Sequence, residues 1–227
     1  VARRHNIPVL VDAAAQLPPA QNLRRFIADG ADLVVFSGGK AIRGPQGTGI
    51  LCGRRDLIAS AALQQLDMDV RPETWNPPED FIPRAALRGV PHHGLGRGFK
   101  VSKEEIVGLL VALERFVALD PAAEAAAHER LLAAIESGLG GIPHIRIRRL
   151  TAADTGRDPL LEVRVDEAAL GRSAFDLGAA LQRGDPPIHL GERRAAEGVL
   201  IINPVALREA DGAVISARIR AVCAARG

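Results

Sequence analysis

Tyrosine is absent from this chain, tryptophan and methionine occur once each, and aromatic residues make up only 3% of its 227 residues. Packing must therefore rest on Leu, Val, Ile and Ala. Cys52 and Cys223 are the two cysteines, with no Cys-x-x-Cys and no His–Cys cluster, so neither a disulfide framework nor a zinc site is expected. His92-His93 has no ligand partners at metal spacing and reads as a surface loop. No run is long and apolar enough to span a membrane and no signal peptide is visible, so the cytoplasm is the simplest location. A net charge of +2, with arginines interleaved among acids, argues against a large nucleic-acid surface.

Lysine is also scarce. Only Lys40, Lys100 and Lys103 occur among 29 Lys+Arg, and Lys40 ends the apolar run Leu33-Val34-Val35-Phe36-Ser37-Gly38-Gly39. Lysine can lose its proton and attack a carbonyl, whereas a guanidinium stays charged. An amine at the mouth of a strand, with glycines leaving room, suits a Schiff base with an aldehyde cofactor. For Lys40 alone, a solvated strand-end lysine is the plainer reading. Its partner makes the pattern specific. Ile7-Pro8-Val9-Leu10-Val11 is an earlier apolar run that ends in Asp12, and Asn22 to Gly30 between the runs reads as a short helix capped by Asn22. Strand, helix, strand is a βαβ crossover, so both strands should be parallel and leave the sheet at one edge. Neighbouring strands lie about 4.8 Å apart, close to the size of a pyridine ring. Asp12 can then face a ring nitrogen while Lys40 holds an aldehyde carbon, the division of labour that pyridoxal phosphate demands. Ser37 is close enough for its hydroxyl to reach a phosphate. The connection from Lys40 to Thr48-Gly49-Ile50-Leu51-Cys52 is too short for a parallel crossover, so the third strand should be antiparallel.

The segments VDAAAQLPP (11–19), GADLVVFSGGK (30–40) and GPQGTGILCGRRDLI (44–58) resemble the large domain of fold-type I pyridoxal-phosphate enzymes. They look most like the bacterial selenocysteine synthase (L-seryl-tRNA selenium transferase) group. GLGRGFKVSKEEIVGLLVALERF (94–116) is similar to a segment of its relatives that do not handle tRNA, such as sugar-acid ammonia lyases. GDPPI (184–188) and GVLIINP (198–204) resemble the family's C-terminal strands. The resemblance implies Lys40 as Schiff-base lysine and base at the substrate α-carbon, Asp12 as pyridinium partner and Ser37 as phosphate contact. Arg97 and Lys100 would bind an anion at the active-site entrance. The chain departs from the family in two places: His189-Leu190 and Val205 stand where it carries arginines. Arg193 and Arg194 lie nearby without aligning.

The fold expected is α/β: the C-terminal part of a fold-type I aminotransferase-like large domain (1–119) plus a small α+β domain (120–227). The glycine-rich phosphate cup of such a domain would precede Val1, so the chain reads as part of a longer enzyme or a truncated gene product. Helices are expected over Arg54–Gln65, Ser102–Leu119 (Ser102 and Glu105 as capping box; Ile106, Leu109, Leu110 and Leu113 as apolar face), Asp120 to about Gly138, Ala174–Gln182 and Ala210–Ala224. Strands are expected over Ile142–Ile147, Leu160–Val165, Ile188–Leu190 and Val199–Ile202. The proline-rich stretch Asp67–Arg97 reads as a long irregular segment. The implied function is a pyridoxal-5'-phosphate enzyme, a lyase or transferase acting on an amino acid or amino-sugar acid, by α,β-elimination or β-replacement ahead of transamination. It would work as at least a homodimer. The rivals are an inactive remnant serving as a partner domain and a tRNA-dependent selenium transferase, against which the near-neutral charge argues.

Overall fold

Val34 and Phe36 alternate with Leu33, Val35 and Ser37, the period-two pattern of a strand with one buried face. The computed structural model, which describes residues 1–69 and 71–225, puts this strand at the centre of a three-stranded sheet. Strand β1 (Leu10–Asp12) runs parallel to β2 (Leu33–Ser37), with Leu10 opposite Leu33 and Asp12 opposite Val35. Helix α1 (Asn22–Ala28) makes the crossover, and β3 (Gly49–Gly53) pairs antiparallel with the other side of β2. Asn22 is the first residue of α1, after the cap position Gln21. Its amide donates to the Gln16 carbonyl at 2.6 Å, so it braces the preceding loop rather than capping the helix.

The chain divides into two compact units, Val1–Leu119 and Asp120–Gly227. In the first, α2 (Arg55–Gln64) follows β3, and α3 (Lys103–Ala118) starts on a capping box in which Ser102 and Glu105 satisfy each other's backbone amides at 3.1 Å. Phe36 and Val34 pack against Leu109 and Phe116 of α3, with Leu23 and Phe26 of α1 beside them. The buried stripe of α3 therefore runs through Leu109, Ala112, Leu113 and Phe116. Ile106 and Leu110, expected on the inner face, are exposed instead. The helix carries apolar residues on two faces, and this unit covers one. Between α2 and α3 the described residues form short 3-10 turns and an isolated antiparallel bridge, as proline removes amide donors. Val70, in that segment, lies outside the described residues.

In the second unit, α4 (Pro121–Leu139), capped by Asp120, leads into β4 (Ile145–Leu150), the short α5 (Ala152–Thr155) and β5 (Leu160–Val165). Then come α6 (Glu167–Leu170), α7 (Ala174–Gln182), β6 (Gly191–Arg194), β7 (Val199–Ile202) and α8 (Asp211–Ala224). The sheet order is β4-β5-β7-β6, antiparallel throughout. Leu161 and Val163 of β5 and Leu200 and Ile202 of β7 face a core shared with Leu132, Leu177 and Ile219. Helices α4 and α8 approach closely: a Cβ on Gly212 would meet Leu131 at 3.0 Å, and one on Gly138 would meet Ser216 at 2.6 Å.

Two strands start later than expected, for backbone reasons. Gly141 and His144 adopt left-handed conformations around Pro143, so Ile142–His144 is a turn and β4 begins at Ile145. The segment Ile188–Leu190 is not a strand. Pro186 and Pro187 offer no amides, and the Ile188 amide donates to the Leu181 carbonyl at 3.1 Å, tying the chain to α7. Sheet pairing resumes only at Gly191, opposite Ile201. Among the described residues no helix is long and apolar enough to cross a membrane.

Burial separates residues that hold the units together from those that do not. Phe36→Ala in the first unit and Leu132→Ala in the second should cost about 3–5 and 2–5 kcal/mol respectively. Leu110→Ala, at a side chain 55% exposed, should stay within about 0.5 kcal/mol. Thermal and urea unfolding of the three variants measures the contrast.

Candidate functional site

The parallel register of β1 and β2 decides where the reactive side chains go. Asp12 is the last residue of β1 and pairs with Val35; Ser37 is the last of β2, and the chain then turns through Gly38-Gly39-Lys40. Parallel strands end at the same sheet edge, so the carboxylate, hydroxyl and amine leave the sheet on one side. Registered residues share a face, which puts Asp12 with Val35 and Ser37 on the face opposite the buried Val34 and Phe36. Asp12 Oδ1 accepts the Ala14 amide at 3.0 Å, and the Ala13 amide continues the ladder to Val35 at 2.9 Å. One oxygen thus shapes the turn, and the carboxylate remains exposed.

The turn bearing Lys40 is held by its backbone. The Gly38 amide donates to Thr48 at 3.0 Å, Gly44 to the Gly38 carbonyl at 2.8 Å, and Arg43 to the Lys40 carbonyl at 2.9 Å. Gly38 and Gly39 lie where a side chain would collide with Thr48 and Gln46, so both glycines serve close packing of the returning loop. Lys40 itself is exposed at the tip of this braced turn. An exposed amine, an acceptor carboxylate and a hydroxyl at one sheet end make a donor set that fits pyridoxal phosphate.

Arg97 and Lys100 both grip Asp67. Arg97 Nε and Lys100 Nζ donate to its two carboxylate oxygens, and His93 Nδ1 lies 3.1 Å from Oδ1. Asp67 is 10% exposed at its side chain, while both cations are at least half exposed. A short antiparallel contact brings these distant residues together, with the Met68 amide donating to His92 at 3.0 Å and Gly94 to Leu66 at 2.8 Å. Lys100 and then Arg97 hold the Asp67 carboxyl far below the usual carboxylate range. Sequence reasoning did not find Asp67. Its one signal is an acid opening the irregular segment that the GRGFK loop closes.

In the second unit, His189, Leu190 and Val205 line one cavity. Arg194 does not replace the expected arginines, because its guanidinium pairs with Glu197 at 2.8 Å and with the buried Glu162.

The ion cluster sets a pH dependence. A carboxyl held below its ordinary value, 3.8 for Asp67, stabilises the fold above that pH and loses the contribution as pH falls through it toward the folded value. Asp67→Asn should lower the melting temperature at neutral pH and flatten the loss of stability below about pH 4. Melting curves of both proteins from neutral pH to pH 2 measure this. An unchanged acid limb would remove the cluster from the account.

The aminotransferase class-V family matches residues 1–72. A 5'-C-glycyluridine monooxygenase-decarboxylase of Streptomyces sp is 32% identical over 209 residues, 91% of this chain and 44% of that protein. D-glucosaminate-6-phosphate ammonia lyase of Salmonella typhimurium is 31% identical over 232 residues, 98% of this chain and 50% of the relative. The L-seryl-tRNA(Sec) selenium transferase of Geotalea daltonii is 24% identical over 235 residues, covering 98% and 47%. A solved structure of D-glucosaminate-6-phosphate ammonia-lyase superposes with a TM-score of 0.72 at 27% identity, over 98% of this chain and 50% of that one. The chain spans about half the length of the curated relatives it matches. With its mixed and antiparallel sheets, it belongs to the fold-type I pyridoxal-phosphate enzymes related to L-seryl-tRNA(Sec) selenium transferase and D-glucosaminate-6-phosphate ammonia lyase.

Proposed function

We propose that this protein serves a pyridoxal-phosphate-dependent lyase or transferase acting on an amino acid or amino-sugar acid, by α,β-elimination or β-replacement. The observation that carries the reading is the β1–β2 register, which sends Asp12, Ser37 and Lys40 off one end of the sheet. When bound, the cofactor supplies an electron-withdrawing ring that acidifies the substrate α-carbon. Lys40 Nζ would be the amine that meets the cofactor aldehyde, and it would serve as the base for the α-proton. Asp12 would keep a proton on the ring nitrogen, and the Ser37 hydroxyl would donate to the phosphate. Lys40 Nζ, holding the α-proton, returns it to the leaving group at the β-carbon as that bond breaks. Arg97 and Lys100 orient an anionic substrate group, and Asp67 holds their side chains in place until it arrives. Two relatives are named an ammonia lyase and a selenium transferase, and elimination and replacement are the reaction types in those names. The assembly is at least a homodimer, and it works in the cytoplasm.

The test is uptake of pyridoxal phosphate, followed by absorbance and, after borohydride reduction, by the mass of the labelled peptide. Label should fall on Lys40 and vanish in Lys40→Ala, and loss of the positioned base should cost about 10²–10⁴ in turnover. Uptake that is equal without Lys40 overturns the reading and favours a folded partner domain. Tight tRNA binding at physiological salt favours the tRNA-dependent transferase instead.

A further inference from the structure

Strand β4 ends its sheet, in the order β4-β5-β7-β6, so one of its sides carries no neighbouring strand. The register fixes which groups lie there. The Asp166 amide donates to the His144 carbonyl at 2.8 Å, and Arg146 stands opposite Arg164 and Arg148 opposite Glu162. Hydrogen-bonded and non-bonded pairs alternate between antiparallel strands. Arg146 and Arg148 therefore bond toward β5, while Ile147 and Arg149 turn amide and carbonyl outward. Among the described residues nothing takes those outward groups. An edge with free amides and carbonyls is a template for a further strand.

The two faces of β4 differ. On the core face Ile145 and Ile147 are half-buried, and Arg149 spends its guanidinium on Glu129 at 2.9 Å and Glu136 at 2.7 Å. On the other face Arg146 lies directly opposite Arg164, and both are exposed. Like charges in that position destabilise a sheet. No carboxylate among the described residues pairs with either guanidinium. The acids around them are engaged: Glu162 and Glu197 by Arg194, Asp154 by the Thr151 amide and Asp166 by the Ala169 amide. Charges on an edge strand can serve simply to deter pairing. Arg164 has no such task, because β5 lies inside the sheet between β4 and β7. Pairing with a second copy through β4 is disfavoured, since a two-fold edge contact would set arginines beside arginines. We infer that the open edge of β4 docks an extended acidic segment of another protein, which adds a strand and lays alternate carboxylates on the face of Arg146, Arg148 and Arg164. Its intervening side chains lie on the face of Ile145 and Ile147. The inference goes beyond the cofactor reading and is independent of it, because all of its residues lie in the second unit.

The test titrates the full chain, labelled with ¹⁵N, with the acetylated and amidated heptapeptide TETETET. The amides of Ile147 and Arg149 should shift and exchange more slowly as the peptide binds, and binding should weaken as salt rises. An N-methylated version keeps the charges but has no amide donors. That version and the lysine counterpart TKTKTKT should each bind at least about fivefold more weakly. Arg146→Glu, and separately Arg164→Glu, should weaken TETETET by a similar factor and shift the preference toward TKTKTKT. Neither variant should melt at a lower temperature, because both positions are exposed and each change sets opposite charges across the pair, so lost binding is not lost folding. The proposal is overturned if TETETET leaves the two amides unmoved, if the N-methylated peptide binds as well, or if both variants keep the parent's affinity. Tighter binding of an oligothymidylate of equal charge also overturns it, making the face a phosphate surface. Loss of pyridoxal-phosphate uptake in Lys40→Ala leaves all of these outcomes unchanged.

Discussion

The parallel pairing of β1 with β2 is the constraint on which the first unit depends. It exists because two short apolar runs, joined by a helix, can each bury one face only when laid side by side. Val34 and Phe36 drive that burial against α1 and α3. The placement of the candidate site follows from the same pairing, since a register that buries Val34 leaves Val35, Asp12 and Ser37 on the other face. A slip of one residue would turn Asp12 toward Phe36 and the core. Packing and the placement of the candidate site are therefore two consequences of one alternation.

Electrostatics in the two units is handled in opposite ways. In the first, two exposed cations share the nearly buried carboxylate of Asp67, leaving a net positive cluster with donors still facing water. In the second, Arg194 satisfies the buried Glu162, and Arg208 pairs with Asp211 at the lining of the neighbouring cavity. The arginines that the family resemblance implied near this cavity are replaced by His189, Leu190 and Val205.

Helix α3 shows how much the covering of a face matters. Its capping box and length were readable, because Ser102 and Glu105 act on amides within one turn. Which of its two apolar faces is buried was not readable. Local sequence marks both as hydrophobic, and only the position of the sheet selects Leu109 and Phe116.

The amino-acid sequence by itself determined the βαβ unit, the antiparallel third strand, and the helix starts at Ser102 and Asp120. Each depends on near neighbours in the chain: alternation, a cap, or a connection too short to cross over. Tertiary structure decided what depends on distant residues. Asp67 reaches Arg97 and Lys100 through a contact between segments with no pattern of their own. The edge strand begins at Gly191 rather than Ile188, because α7 captures the intervening amide. The cavity beside it is lined by residues from the Pro186–Gly191 segment, β7 and α8. Interactions within a turn leave a signature in sequence; partners chosen by the packing of remote segments do not.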